Sequence, residues 1–227
     1  MYYYDATYIL VILAFFLTLF ASFGVNGTFK KYNEVFSSRG FTAAEAARKI
    51  LDANGLHNIR IEHIAGDLTD HYDPKANVIR LSDATFNSTS VAAIGVAAHE
   101  CGHAVQHQVG YTPIKVRNAI VPIVNISNRL SMPIFILGLI LSIGPLAMAG
   151  ALLFGMVLVF QVVTLPTETN ASRRAMKTLE EMAILEGDEL KGARKTLTAA
   201  AMTYVAAVAA TALQFLRLVM LANRRRR

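Results

Sequence analysis

Apolar positions in this 227-residue chain fall into long uncharged runs separated by two polar stretches. Tyr8–Phe23 carries no charge and approaches the roughly 20 residues needed to cross a bilayer. Ser131–Pro166 is a second uncharged run, about twice the length of one span, with Gly144-Pro145 near its middle predicting a tight hairpin of two helices. The first of these helices is expected to begin as early as Asn118, with Pro122 and Pro133 kinking it. A fourth apolar stretch, Leu197–Ala222, is interrupted by Gln214 and Arg217; it either spans or packs against the others. The pattern predicts an α+β, mostly helical integral membrane protein with three to four transmembrane helices.

Between these runs the periodicities change. Thr42-Ala-Ala-Glu45 has the form of a capping box and opens a short helix that ends near Asn54-Gly55. Asn58–Ile64 alternates apolar and polar residues and predicts a strand, as does Asn77–Leu81, while Asp70–Pro74 between them carries turn chemistry. Val91–Val109 predicts a helix of small and apolar residues. A strand edge before that helix is suited to align an extended peptide by backbone pairing.

Composition agrees with the pattern: 54% of residues are hydrophobic and the mean hydropathy is +0.40. The N-terminal flank MYYYD lacks Lys and Arg, and no small-x-small site closes the first run. It is therefore expected to be an uncleaved anchor. Lys30 and Lys31 follow it, which places the next segment in the cytoplasm. Four spans put residues 24–117 and 167–196 on that same side, with most of the Lys and Arg. The terminal Arg224–Arg227 would then lie outside, as a solvated or headgroup-facing cluster. The basic pI near 9.5 thus points to a membrane surface and not to nucleic acid. The lone Cys101 forms no intramolecular disulfide, in keeping with a cytosolic site.

The predicted helix carries His99-Glu100-Cys101-Gly102-His103. On a helix, residues four apart share a face, so two imidazoles can hold one metal ion with a glutamate beside it. Zinc bound in this way acidifies water, and the glutamate is placed to take its proton, the chemistry of metal-assisted peptide hydrolysis. Such sites usually have three protein ligands. His107 continues the spacing but lies about 6 Å farther along the axis, which suits a supporting or substrate-side role better than a ligand. Cys101 faces away and is expected to be core. His57, His63 and His71 are expected at the surface. Glu168 is the better third ligand, at the membrane exit of the hairpin where it would open a helix back to the polar side. Glu180, Glu181, Glu186 and Glu189 look solvated.

DHYDP (70–74), VIRLS (78–82), AAHECGHAVQH (97–107), LPTETNASRRA (165–175) and LTAAAMTYVAA (197–207) together resemble the YugP-like neutral zinc metallopeptidases of bacterial membranes. More distantly the chain is similar to HtpX-type membrane proteases. The resemblance covers nearly the whole chain. It implies a gluzincin-like peptidase with one zinc ion, His99, His103 and Glu168 as ligands, and Glu100 as catalytic base. The family pattern usually has Asp two residues after the ligand glutamate, where this chain has Asn170; an amide there accepts a hydrogen bond without supplying charge.

The chain divides by this reading into an anchor (1–24), a zincin-like region with a short β-sheet (25–117), a transmembrane hairpin (118–166), a helix with the third ligand (167–196) and a C-terminal membrane-associated helix with a basic tail (197–227). The expected function is a zinc metalloendopeptidase acting on membrane or membrane-proximal polypeptides at the cytoplasmic face. Tyr72, Tyr111, His107, Arg173 and Arg174 are candidates for an oxyanion donor. The expected partners are a polypeptide substrate and the lipid bilayer, with membrane-protein partners or homo-oligomers left open and no nucleic acid. The rivals are a catalytically silent zinc-stabilised scaffold, which would have no need of Glu100, and a transporter, which the uncharged Ser131–Pro166 hairpin disfavours.

Overall fold

The computed structural model describes residues 5–224. The elements run α1 (Tyr8–Asn33), α2 (Ala43–Ala53), β1 (Arg60–Ile64), β2 (His71–Asp73), β3 (Val78–Ser82), α3 (Val91–Gln108), α4 (Thr112–Ile140), α5 (Gly144–Glu181) and α6 (Gly187–Arg224). Helices α1, α4, α5 and α6 are each long and apolar enough to cross a membrane. The chain is mostly helical with one small sheet, an α+β protein. It separates into two compact units: residues 23–114 with 166–202, and residues 1–22, 115–165 and 203–227, of which 5–22 and 203–224 are described.

In the first unit, α2 forms because Thr42 and Glu45 cap it reciprocally: the Thr42 hydroxyl accepts from the Glu45 N–H, and the Glu45 carboxylate accepts from the Thr42 N–H at 2.8 Å. Its apolar stripe of Ala43, Ala46, Ala47, Ile50 and Leu51 is buried with Ile94, Ala97, Ala98 and Cys101 of α3. The sheet order is β1-β3-β2, with β1 parallel and β2 antiparallel to the central β3. Strand β3 is buried through Val78, Ile79 and Leu81.

Strand β2 corrects the expectation of a simple turn at 70–74. Asp73 does make the turn, accepting from the Lys75 and Ala76 N–H groups. The three residues before and including it nevertheless pair with β3, and the Arg80 guanidinium of that strand binds the Asp73 carboxylate at 3.1 Å. Another correction concerns Pro166. No new helix opens there, because α5 continues through it, so Glu168 sits in mid-helix. A proline removes one backbone donor, and apolar helices tolerate that when neighbouring groups occupy the freed positions. Helix α4 likewise starts at Thr112, earlier than expected, and contains both Pro122 and Pro133.

The second unit is built on small residues. A Cβ on Gly138 would lie 2.3 Å from the Ala147 nitrogen, and one on Gly150 2.4 Å from that of Phe135, so α4 and α5 touch backbone to backbone. The turn between them places Ser142 at φ 57°, and Pro145 follows Gly144 at the start of α5. Outward faces are apolar: Phe20 is 70% and Ile140 73% exposed, as expected where lipid is the solvent.

Arg217, which breaks the apolar run of α6, is accommodated by Asp5 at 3.6 Å and by the Tyr8 ring at 4.5 Å. Arg224 binds the same carboxylate at 2.9 Å, so the start of α1 and the end of α6 meet at one end of this unit. Arg225–Arg227 of the basic tail lie outside the described residues.

Candidate metal centre

Helix α3 is capped by the Ser90 hydroxyl, which accepts from the Ala93 N–H, and stops before Gly110, whose φ of 63° a helix cannot use. Within it, His99 and His103 project together, ring centroids 4.7 Å apart and nearly perpendicular at 86°. Helix α5 brings Glu168 against them. Its Oε2 lies 3.3 Å from His99 Nε2 and 3.4 Å from His103 Nε2. Gly102, inside the motif, permits this approach: a Cβ there would sit 2.6 Å from the Ala171 carbonyl oxygen of α5. Gly95, two turns earlier, lies against Ala193 of α6.

These three residues offer ligand atoms within 4.8 Å of one another. Tetrahedral bonds of roughly 2 Å to nitrogen and oxygen place neighbouring ligand atoms about 3.3 Å apart, which is what the two N···O separations show. Glu168 is 4% exposed, and its Oε2 makes no aligned hydrogen bond despite its closeness to both rings. A buried carboxylate oxygen without a donor is costly in a protein of ordinary packing, and a cation bound by all three groups would satisfy it. The donor set of two imidazoles and a carboxylate suits zinc.

Both imidazoles are oriented from behind. Ser172, one turn after Glu168, hydrogen-bonds His99 Nδ1 through its hydroxyl at 3.0 Å, and Gln106 Oε1 accepts from His103 Nδ1 at 3.0 Å. With Nδ1 as donor, each ring presents an Nε2 lone pair to the centre. Gln106 is wholly buried; its amide donates to the Thr167 carbonyl at 2.7 Å and to Asn170 Oδ1 at 3.0 Å. Arg174 Nε donates to the same Asn170 oxygen at 2.8 Å. Burial alone would depress the His103 imidazole, but the adjacent Glu168 carboxylate, with the charge of Glu100, holds it above its ordinary value.

Glu100 is also buried, at 8% exposure, and accepts from the Tyr72 backbone N–H at 2.9 Å through Oε2. Burial pushes its carboxyl above the usual carboxylate range, opposed by His99 and His103. Strand β2 is held at this place from both ends. Asp70 accepts from the Ser82 N–H and the Ser82 and Thr85 hydroxyls, while Asp73 binds Arg80.

Comparison with known proteins completes the description. The chain matches, over residues 7–223, a family described as "Putative neutral zinc metallopeptidase". The chain belongs to this family. It is 42% identical over 212 residues to the "Putative membrane protease YugP" of Bacillus subtilis (strain 168), covering 93% of this chain and 94% of that protein. No solved structure matches it.

In this zinc metallopeptidase family member, His107 stands away from the cluster of ligand atoms, its ring 5.5 Å from that of Tyr72 at 65°. Burial, then the charge of Asp73, pushes the Tyr72 phenol up. The Tyr111 hydroxyl lies 3.5 Å from the Pro166 carbonyl, and Arg173 is exposed on the wall of a cavity that Ser172 also lines. Cys101 is fully buried near the Ala47 carbonyl, and burial holds its thiol well above the usual range. His57, His63 and His71 are exposed, with Asp52, Asp83 and the Thr69 carbonyl as partners. Glu180, Glu181 and Glu186 are exposed, but Glu189 is half-buried and accepts from the Ser38 N–H at 2.8 Å. Gln106, Ser172 and Gly102 were not among the residues singled out from sequence. Their one local signal is spacing, three residues after His103 for Gln106 and four after Glu168 for Ser172.

Proposed function

We propose that this chain is a membrane-embedded zinc endopeptidase, with His99, His103 and Glu168 as metal ligands and Glu100 as general base. Its substrates would be membrane or membrane-proximal polypeptides, cleaved at the cytoplasmic face. The observation that carries the proposal is the convergence of the three ligand atoms on one point beside a buried, hydrogen-bonded carboxylate.

Zinc, when bound here, supplies Lewis-acid polarisation and acidifies water. The chain supplies the rest. Tyr72 N–H occupies Glu100 Oε2, which leaves Oε1 to take a proton from the attacking water. Its elevated pKa makes the carboxylate a stronger base, and the same oxygen can return the proton to the leaving amine nitrogen. Strand β2 is an edge strand of the sheet, suited to pair with an extended substrate. The purified full-length chain should cleave an unfolded protein such as casein, lose that activity to a zinc chelator, and recover it with about one equivalent of zinc. Failure to cleave after zinc is restored would refute the assignment.

The cytoplasmic orientation rests on charge. If all four candidate spans cross, residues 24–117 and 167–196, with most of the Lys and Arg, would lie on one side. The Arg224 end is the exception, and its pairing with Asp5 removes part of that charge from the count. Ser37 is only 7% exposed, so Ala65, which is exposed, is the better reporter for cysteine labelling. Ala65→Cys should resist an impermeant thiol reagent in intact cells, whereas Ser142→Cys should react. Labelling of Ala65→Cys from outside would reverse the orientation.

A further inference from the structure

Where α1 leaves its apolar run and α6 enters its own, the first unit holds a cavity of ≈ 600 Å³. Lys31 of α1 and Arg194 and Lys195 of α6 line it, with the hydroxyl-bearing Thr28, Tyr32 and Thr198. No carboxylate lines it. Among the described residues none of the three cations has an acidic partner, although Arg39 and Lys191 of the same unit bind Glu186 and Asp188 at 2.7 and 2.8 Å. All three are exposed, and three like charges lining one space without a carboxylate favour an anion there.

The convergence is fixed by packing. A Cβ on Gly192 would lie 2.8 Å from the Tyr32 ring, so that ring lies directly on the α6 backbone and sets Lys31 beside Arg194 and Lys195. The remaining wall is apolar, made by Gly27, Ala199 and Met202. On α1 the apolar run ends at Phe23, itself 65% exposed, just before this cavity. On α6 the apolar run begins at Leu197, just after Arg194 and Lys195. The cavity thus has a cationic end and an apolar end at the level where both helices pass from polar to apolar sequence. A second cavity of ≈ 410 Å³ shares Arg194 and Thr198 but includes Glu180, which makes it the poorer anion site.

We propose that the cavity binds the phosphate-bearing headgroup of an anionic phospholipid, with Lys31, Arg194 and Lys195 around the phosphate and the upper acyl chain along Ala199 and Met202. Basic pockets between membrane helices recognise such headgroups by charge, and an adjoining apolar wall distinguishes a lipid from free phosphate.

The test is native mass spectrometry of the full-length protein in neutral detergent, titrated with phosphatidylglycerol, phosphatidylcholine or inorganic phosphate. Phosphatidylglycerol should be retained in preference to phosphatidylcholine. The variant Lys31→Gln/Arg194→Gln/Lys195→Gln should bind it at least about tenfold more weakly, given the contribution expected per basic residue at a membrane surface. Arg60→Gln/Lys75→Gln/Lys177→Gln, which removes as much charge elsewhere in the same unit, should bind as the parent does. The charge-conserving Lys31→Arg/Arg194→Lys/Lys195→Arg should retain most of the affinity, which guards against a loss through misfolding. Equal retention of the two lipids, equal loss in both glutamine variants, or displacement of phosphatidylglycerol by equimolar inorganic phosphate would each overturn the proposal.

Discussion

Glu100→Gln should lower peptidase activity by roughly 10²–10⁴-fold, the range typical of removing a general acid–base group, while leaving about one zinc per chain. Glu100 is outside the cluster of three ligand atoms, so its loss should not release the metal. Glutamine is the informative replacement. Its carbonyl oxygen can still accept from the Tyr72 N–H at the place where Glu100 Oε2 now does. Alanine would strand that donor at a cost of about 1–3 kcal/mol, and a fall in activity would then mix chemistry with a displaced β2. Activity is measured as casein cleavage and zinc by elemental analysis of the same dialysed sample. Near-normal cleavage, or zinc lost with the carboxylate, would remove Glu100 from the role assigned to it. The scaffold reading predicts no casein cleavage by the parent or by Glu100→Gln, because a purely structural site has no use for a base.

Much of this arrangement was legible in the sequence because it depends on short-range chemistry. The capping box of α2, the spacing of His99 and His103 and the uncharged runs each state their structure within a few residues. Strand β2 was not legible because its pairing with β3 is tertiary, while its own residues have the composition of a turn. Asp70 and Asp73 serve both purposes, closing local turns and fastening the strand to Ser82, Thr85 and Arg80. The continuation of α5 through Pro166 was hidden for a related reason. Proline marks a local break, and only surrounding structure decides whether a helix tolerates it. Gly102 similarly signals nothing until α5 is seen against it.

Asn170 illustrates how a departure from a family pattern is resolved by position. It makes no hydrogen bond to either histidine. Its oxygen accepts from Gln106 and Arg174, and Gln106 in turn accepts from His103. An amide can do this accepting as a carboxylate would, and its missing charge reaches the imidazole only through the intervening glutamine. The orientation of His103 therefore depends on Gln106 directly and on residue 170 at one remove.

Glu168→Ala should weaken zinc binding by more than the roughly 10–100-fold that loss of an outer partner usually costs. Glu180→Ala and Glu181→Ala should leave it nearly unchanged, since both side chains are exposed and outside the cluster. The contrast follows from where α5 carries each group. Glu168 is 4% exposed with an oxygen 3.3 and 3.4 Å from the two Nε2 atoms, and no other carboxylate among the described residues joins that cluster. Without it, two histidines remain, and zinc held by two protein ligands falls short of the three usual at catalytic sites. His107 is the group that could compensate. Its ring is instead turned to Tyr72, and the helical rise from His103 of about 6 Å keeps it from a metal bonded to both other imidazoles. Competition titration with a zinc-binding dye would measure the affinities of the three variants and the parent on the same scale. Equal affinities for Glu168→Ala and the parent, or a zinc-bound structure with His107 on the metal and Glu168 turned away, would take the third ligand from α5. Because α5 is also one of the four candidate spans, confirmation would mean that a membrane helix itself supplies part of the metal centre.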